Sequence, residues 1–164
     1  MALTDQEQIE AQRRVVERHL HAENMHQWDD VFDTMMRDER TFYDVVPLST
    51  HFDGFDGAKN FYELFEEAVP DFRTVVTAAY DVPGTSIREL TLSGTHRGEY
   101  GGVPPQGNPI SIEMAILFIF GEGDEGDRIF GQRIYFDNET LLRQMRGEKD
   151  APTGIGLAQG RNGA

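Results

Sequence analysis

Acids that stand alone among apolar neighbours are the residues of this chain best placed for chemistry. The stretch Gln132–Met145, QRIYFDNETLLRQM, holds one, Asp137, where a strand pattern turns into a helix pattern. Ile134, Tyr135 and Phe136 surround it with apolar side chains. A carboxylate in such surroundings is pushed toward its neutral form and can exchange a proton near neutral pH. Asp is equally a favoured helix N-cap, although Asn138 offers the same service one position later. Catalysis and capping both stay open for Asp137. Glu113 interrupts the apolar run PISIEMAILFIF, where a lone acid is costly unless it is paired or functional. It is either a pocket residue or a partner of Arg97 or Arg133. Asp44 lies in TFYDVVP, as a third candidate acid or a solvated loop residue. On the alternation of SIRELTLSGTH, His96 shares a face with Leu90, Leu92 and Gly94. There it can orient a carboxylate or donate to an enolate oxygen, or it is an ordinary strand-end histidine. Asn24, Trp28 and Tyr135 are candidate lining residues.

Other chemistries find little support. His19, His21 and His26 lie close together, but residues two apart do not share a helix face, so no metal site is expected. No Gly-rich phosphate loop follows a strand, and GEGDEGD is too acidic to hold phosphate. No cofactor is inferred.

Elements that must position these residues follow from periodicity. Thr4 to Glu23 reads as a polar helix with Ile9, Val16 and Leu20 on one face. Trp28, Val31, Phe32 and Met35 mark a short amphipathic helix. A short strand and loop follow, then a helix that Asp56 can cap, with Phe61, Leu64, Phe65 and Ala68 as its buried stripe. VPDF ends that helix, because the residue before a proline is pushed out of the helical region. From Phe72 the period is two, through about four long strands, and NETLLRQM closes the domain as a helix. The expected fold is α+β: a curved antiparallel sheet under three N-terminal helices, enclosing a conical cavity for a small apolar ligand. Residues 1–147 form one domain, and 148–164 read as a flexible Gly-rich tail. PISIEMAILFIF is apolar on both faces, so the sheet needs cover on both sides. Ile112, Met114, Ile116, Phe118 and Phe120, or the alternate register, form the outer face, and a homodimer through the sheet is expected.

Composition narrows the partners. Acids number 29 against 15 Lys plus Arg, for a net charge of −14. Such a field repels nucleic acid and anionic membranes. Lys59 and Lys149 are the only lysines. This fits either adaptation to high salt or an ordinary acidic bacterial protein with high-GC codon usage. There is no cysteine, which excludes disulfides and thiolate chemistry. No signal-type run or spanning segment is visible, and a cytoplasmic protein is expected.

The order of three motifs resembles the SnoaL-like polyketide cyclases (ester cyclases) of the nuclear-transport-factor-2-like superfamily. They are Gly54 or Gly57 before AKNFYELFEEAVPDF, then GTHRGEYGGVPPQGNPI, then RIYFDNETLLRQM. The turn GEGDEGDRI is longer and more acidic than is usual there. The resemblance implies a general acid/base at Asp137 for an intramolecular aldol ring closure on a small apolar carbonyl substrate. Related isomerases, dehydratases and epoxide hydrolases, or a non-catalytic ligand-binding dimer, are the alternatives it carries. Asp44 is similar in position to the base of ketosteroid isomerases. That pattern also needs an oxyanion partner, for which Tyr43, Tyr62 and Tyr80 are available, so Tyr43 and Tyr62 join the expected substrate-binding set. The hydrolase pattern needs an Asp-Arg-Asp set, which Asp137, Arg97 or Arg133, and Glu113 match only loosely.

Overall fold

The computed structural model describes residues 3–122 and 125–149. The tail expected beyond residue 147 lies, except for 148 and 149, outside the described residues. Helix α1 (Asp5–Asn24) opens on a capping box, with the Thr4 and Glu7 side chains bonding each other's amides. Then come α2 (Trp28–Asp33), strand β1 (Phe42–Val45), a single 3-10 turn (Val46–Leu48) and β2 (Thr50–Asp53). Helix α3 (Gly54–Ala68) leads into β3 (Arg73–Val82), β4 (Thr85–Thr95), β5 (Pro109–Phe120) and β6 (Ile129–Phe136), and α4 (Asn138–Met145) ends the fold. Asp53, not Asp56, holds the N-cap position of α3, and Asp56 sits in its first turn.

The six strands form one sheet in the order β2-β1-β6-β5-β4-β3. It is antiparallel except for one pair, since β1 runs parallel to β6. The curved antiparallel sheet expected from the sequence is found, with this one parallel pair as its exception. The short β1 arrives from the helical half of the chain, and its partner strand is formed almost ninety residues later. That pairing sets Tyr43 beside Gln132 and Val45 beside Ile134. Register shifts at Val76/Ala78 and Ile119/Phe120 let the sheet bend.

Helix α1 is fixed across the sheet at both ends. Near its start, the Gln12 amide donates to Val82 O at 3.0 Å and accepts from Gly84 N–H at 2.8 Å. At its end, the Asn24 amide donates to Thr74 O at 2.9 Å and accepts from Thr74 N–H at 2.8 Å. Such paired amide bonds to strand backbone are costly to break once buried. They set the rotation of α1, which turns Gln12, Val16, His19, Leu20 and Glu23 toward the sheet. Sheet residues Ile112, Ile116 and Phe118 face the same core. The outward register of β5 is therefore Ser111, Glu113, Ala115, Leu117 and Ile119, the alternate of the two in the sequence reading. No helix among the described residues is long and apolar enough to cross a membrane.

Candidate active site

Helices and bent sheet enclose a cavity of about 450 Å³. Its walls are apolar, with Phe61 and Phe65 from α3, Phe72, Ile112 and Ile116 from the sheet side, and Leu141 from α4. Exposure runs from one end to the other. Leu48, Thr50, Leu64, Glu67, Glu99 and Gly101 are exposed and form the mouth, whereas Glu23, Tyr43 and Tyr62 are buried and form the floor.

Polar side chains at the floor form one network. Thr34 donates its hydroxyl hydrogen to Val31 O at 2.6 Å. It must therefore accept from His19 Nδ1–H, which lies 2.6 Å away. This fixes a hydrogen on Nδ1 and turns Nε2 toward Glu23 Oε1, at 2.9 Å. Nε2 also lies 2.9 Å from the Tyr62 hydroxyl. The Tyr62 hydroxyl donates to the same Oε1 at 2.7 Å and accepts from the Gln132 amide at 3.0 Å. Oε1 thus takes the Tyr62 bond and the close approach of His19. No described residue bonds Glu23 Oε2, on a side chain that lines the cavity. The result is a carboxylate with one oxygen anchored and one presented to a ligand.

Tyr43 is the second presented group. It is 3% exposed and lines the cavity, and none of the described residues bonds its hydroxyl. Its ring stacks on Phe61 and meets Tyr62 edge-on at 5.6 Å. Burial, reinforced by the Glu23 charge, holds the hydroxyls of Tyr43 and Tyr62 well above the usual phenol range. Both therefore stay protonated and act as donors.

Several acids expected at the site lie elsewhere. Asp137 is exposed and outside the lining. Its carboxylate accepts from Thr140 N–H at 3.1 Å and from the Thr140 hydroxyl at 2.7 Å, so it caps α4. Those bonds hold its carboxyl below the usual carboxylate range, the opposite of what a neutral-pH base needs. The expectation that it looks into the cavity is corrected: the chain leaves β6 at Phe136, whose ring takes the inward position, and alternation turns the next residue out. Glu113 stands exposed on the outer face of β5. Asp44 points out from β1 and pairs with His51 and with Arg133, the latter at 3.0 Å. His96 is fully buried outside the lining, and neither ring nitrogen has a partner among the described residues.

Of the expected lining residues, Tyr43 and Tyr62 are in place. Asn24 is spent on Thr74. Trp28 packs behind the wall, 5.6 Å from Tyr62 and 6.1 Å from Phe72. Tyr135 projects outward and is exposed. The sequence reading missed His19, Glu23 and Gln132. A signal for the first two was present, because they share the α1 face of Val16 and Leu20 at helical spacing. Gln132 alternates with Ile134 and Phe136 on the inner face of β6.

The sequence model of the SnoaL-like polyketide cyclase family matches residues 13–145. No curated protein matches the chain. Among solved structures, AclR from Streptomyces galilaeus, described as a candidate hydroxylase, superposes with a TM-score of 0.72 at 17% identity, over 92% of this chain and 90% of that one. A candidate SnoaL-like polyketide cyclase from Jannaschia sp. CCS1 gives 0.69 at 19% identity, over 91% and 98%. A protein of ketosteroid isomerase-like fold from Catenulispora acidiphila, in complex with trimethylamine, gives 0.65 at 16% identity, over 84% and 97%. At these identities the likeness is one of fold, and it is the nuclear-transport-factor-2-like α+β cone that the motifs implied.

Proposed function

The chain belongs to the SnoaL-like polyketide cyclase family, and from that premise we propose that it is a cofactor-independent acid–base enzyme that closes a ring in a small apolar carbonyl substrate. The observation that carries this reading is the free Oε2 of Glu23 beside the unbonded Tyr43 hydroxyl at the floor of an apolar cavity.

Glu23 takes the proton from a carbon next to a carbonyl. The carbonyl oxygen becomes an enolate oxygen and receives the hydrogen bond of Tyr43. The enolate carbon attacks a second carbonyl of the same molecule, a C–C bond forms, and the new alkoxide recovers the proton from Glu23. His19, Tyr62 and Gln132 act through Glu23: Tyr62 bonds its Oε1, His19 approaches the same oxygen, and Gln132 holds the Tyr62 hydroxyl in place, which leaves Oε2 for the cavity. The walls fold a flexible substrate into a ring-closing shape, which lowers the entropic part of the barrier. An isomerase or dehydratase would begin with the same proton abstraction. The hydrolase arrangement is not supported, because no arginine is among the lining residues.

The test follows hydrogen–deuterium exchange at the enolisable carbon of 2-tetralone, an apolar ketone, by NMR. Wild-type protein should accelerate exchange over buffer. Glu23→Gln, which keeps the shape of the side chain, should reduce that acceleration by about 100-fold or more. Full acceleration by the Gln variant would end the proposal. The proposal includes a homodimer, because Val75, Tyr80, Val82 and Tyr135 leave an exposed apolar surface on the outer sheet face. Sedimentation should give twice the chain mass, and a Tyr80→Glu/Val82→Glu variant should sediment as a monomer; a monomeric wild type would refute the dimer.

A further inference from the structure

Charge is distributed around this cavity in one sense only. Three of its lining residues are acids, Glu23, Glu67 and Glu99, and none is Lys, Arg or His. Glu23 is buried at the floor, with His19 Nε2 2.9 Å from its Oε1. Glu67 and Glu99 stand exposed in the mouth, and neither has an ion-pair partner among the described residues. Arg97 precedes Glu99 on the same loop but lies outside the lining, where its charge acts on Asp71.

Glu67 also breaks a local rule. It sits in the last turn of α3, which carries no basic residue, so a negative charge lies at the negative pole of the helix. Such a conflict between local preference and placement is expected where a site needs the charge. The mouth loop is held against this pole, since Ala68 O accepts from both Arg97 and Gly98 N–H, at 2.9 and 3.1 Å. Gly98 has no room for a Cβ there, because one would collide with the backbone of Glu67. The loop therefore brings Glu99 into the lining that Glu67 already occupies.

A second observation points to an occupant: the unbonded hydroxyl of the 3% exposed Tyr43, which lines the opposite end of the cavity. It offers a hydrogen-bond donor to an acceptor oxygen on whatever fills the floor.

We infer that the ligand is an apolar amine: an uncharged, oxygen-bearing body inside the cavity and a protonated amino group left in the mouth at Glu67 and Glu99. This rests on the cavity being the substrate site of the proposed function, and it adds the charge class of the substrate. An anion would enter past two carboxylates and lose its hydration with no cation to meet it. A cation gains from the two carboxylates.

The experiment is calorimetric titration at low salt with three naphthalenes that differ in charge: 1-naphthylmethylamine, 1-naphthalenemethanol and 1-naphthoate. The amine should bind about tenfold tighter than the alcohol, and the carboxylate weaker than both. A Glu67→Gln/Glu99→Gln variant should bring the amine down to the affinity of the alcohol and leave the alcohol unchanged; both positions are exposed, and an amide oxygen at position 99 can still accept the Gly102 N–H that Glu99 takes at 2.9 Å. Equal or tighter binding of the carboxylate overturns the inference, as does an amine preference that survives in the double variant. Failure of all three to bind overturns it together with the cavity reading. The catalytic reading fails separately, if Glu23→Gln exchanges 2-tetralone at the wild-type rate while the amine preference stands.

Discussion

Replacing Tyr62 by Phe removes one oxygen from the hub of the floor network and leaves the ring in place. That oxygen bonds Glu23 at 2.7 Å, approaches His19 Nε2 at 2.9 Å and accepts from Gln132 at 3.0 Å. A buried hydrogen bond to a charged partner contributes about 1.5–3 kcal/mol, and a buried amide left without a partner costs about 1 kcal/mol or more. The His19–Glu23 contact at 2.9 Å survives the change and limits the loss. The expected destabilisation is about 3 kcal/mol, which for a domain of this size lowers Tm by about 6–12 °C. Tyr43→Phe is the control, being the same chemical change a ring away. Its hydroxyl bonds no described residue, so stability should move by no more than about 0.5 kcal/mol. Urea unfolding of the two variants against wild type gives both numbers, and 2-tetralone exchange gives their effect on the reaction. Tyr43→Phe should slow exchange at unchanged stability, because it removes only the enolate donor. If the variants lose equal stability, or Tyr62→Phe loses none, the division into an anchoring and a presented hydroxyl is wrong.

Asp137→Ala should cost about 1 kcal/mol through the lost α4 cap and leave 2-tetralone exchange unchanged, whereas Asp137→Asn should keep most of the cap. The folded carboxyl titrates below its ordinary value of 3.8, so the cap contributes fully above that value and is lost as pH falls through the lower, folded one. Urea midpoints of the variants between neutral and acid pH check this. His51 shows the opposite sign. The Asp44 carboxylate raises its ring above the ordinary 6.5, so its contribution is complete below 6.5 and is lost as pH rises through the higher folded value. Amide exchange of β2, Thr50–Asp53, should therefore quicken on the alkaline side beyond its intrinsic pH dependence, and His51→Gln should remove the excess.

Much of the scaffold was legible because it is periodic. Val16 with Leu20, Trp28 with Phe32, and the alternation of β4 and β5 mark their elements whatever the rest of the chain does. The family resemblance was legible too, in GTHRGEYGGVPPQGNPI and RIYFDNETLLRQM, since turns and caps need particular residues at particular places. Asp137 shows the limit of such reading. A strand end beside apolar residues suits a base and a cap equally, and only the direction of one Cα–Cβ bond separates them.

Tertiary structure decided the site. Glu23 looks like any charged residue near the end of a polar helix. It becomes the floor of a cavity because Gln12 and Asn24 fasten α1 to β3 and its turn, and so fix the rotation of the helix. Tyr43 and Gln132 are far apart in sequence and become neighbours through the parallel pairing of β1 with β6. Local sequence fixes which face of an element is apolar. What faces it across the core depends on long-range pairing, which no window of a few residues contains.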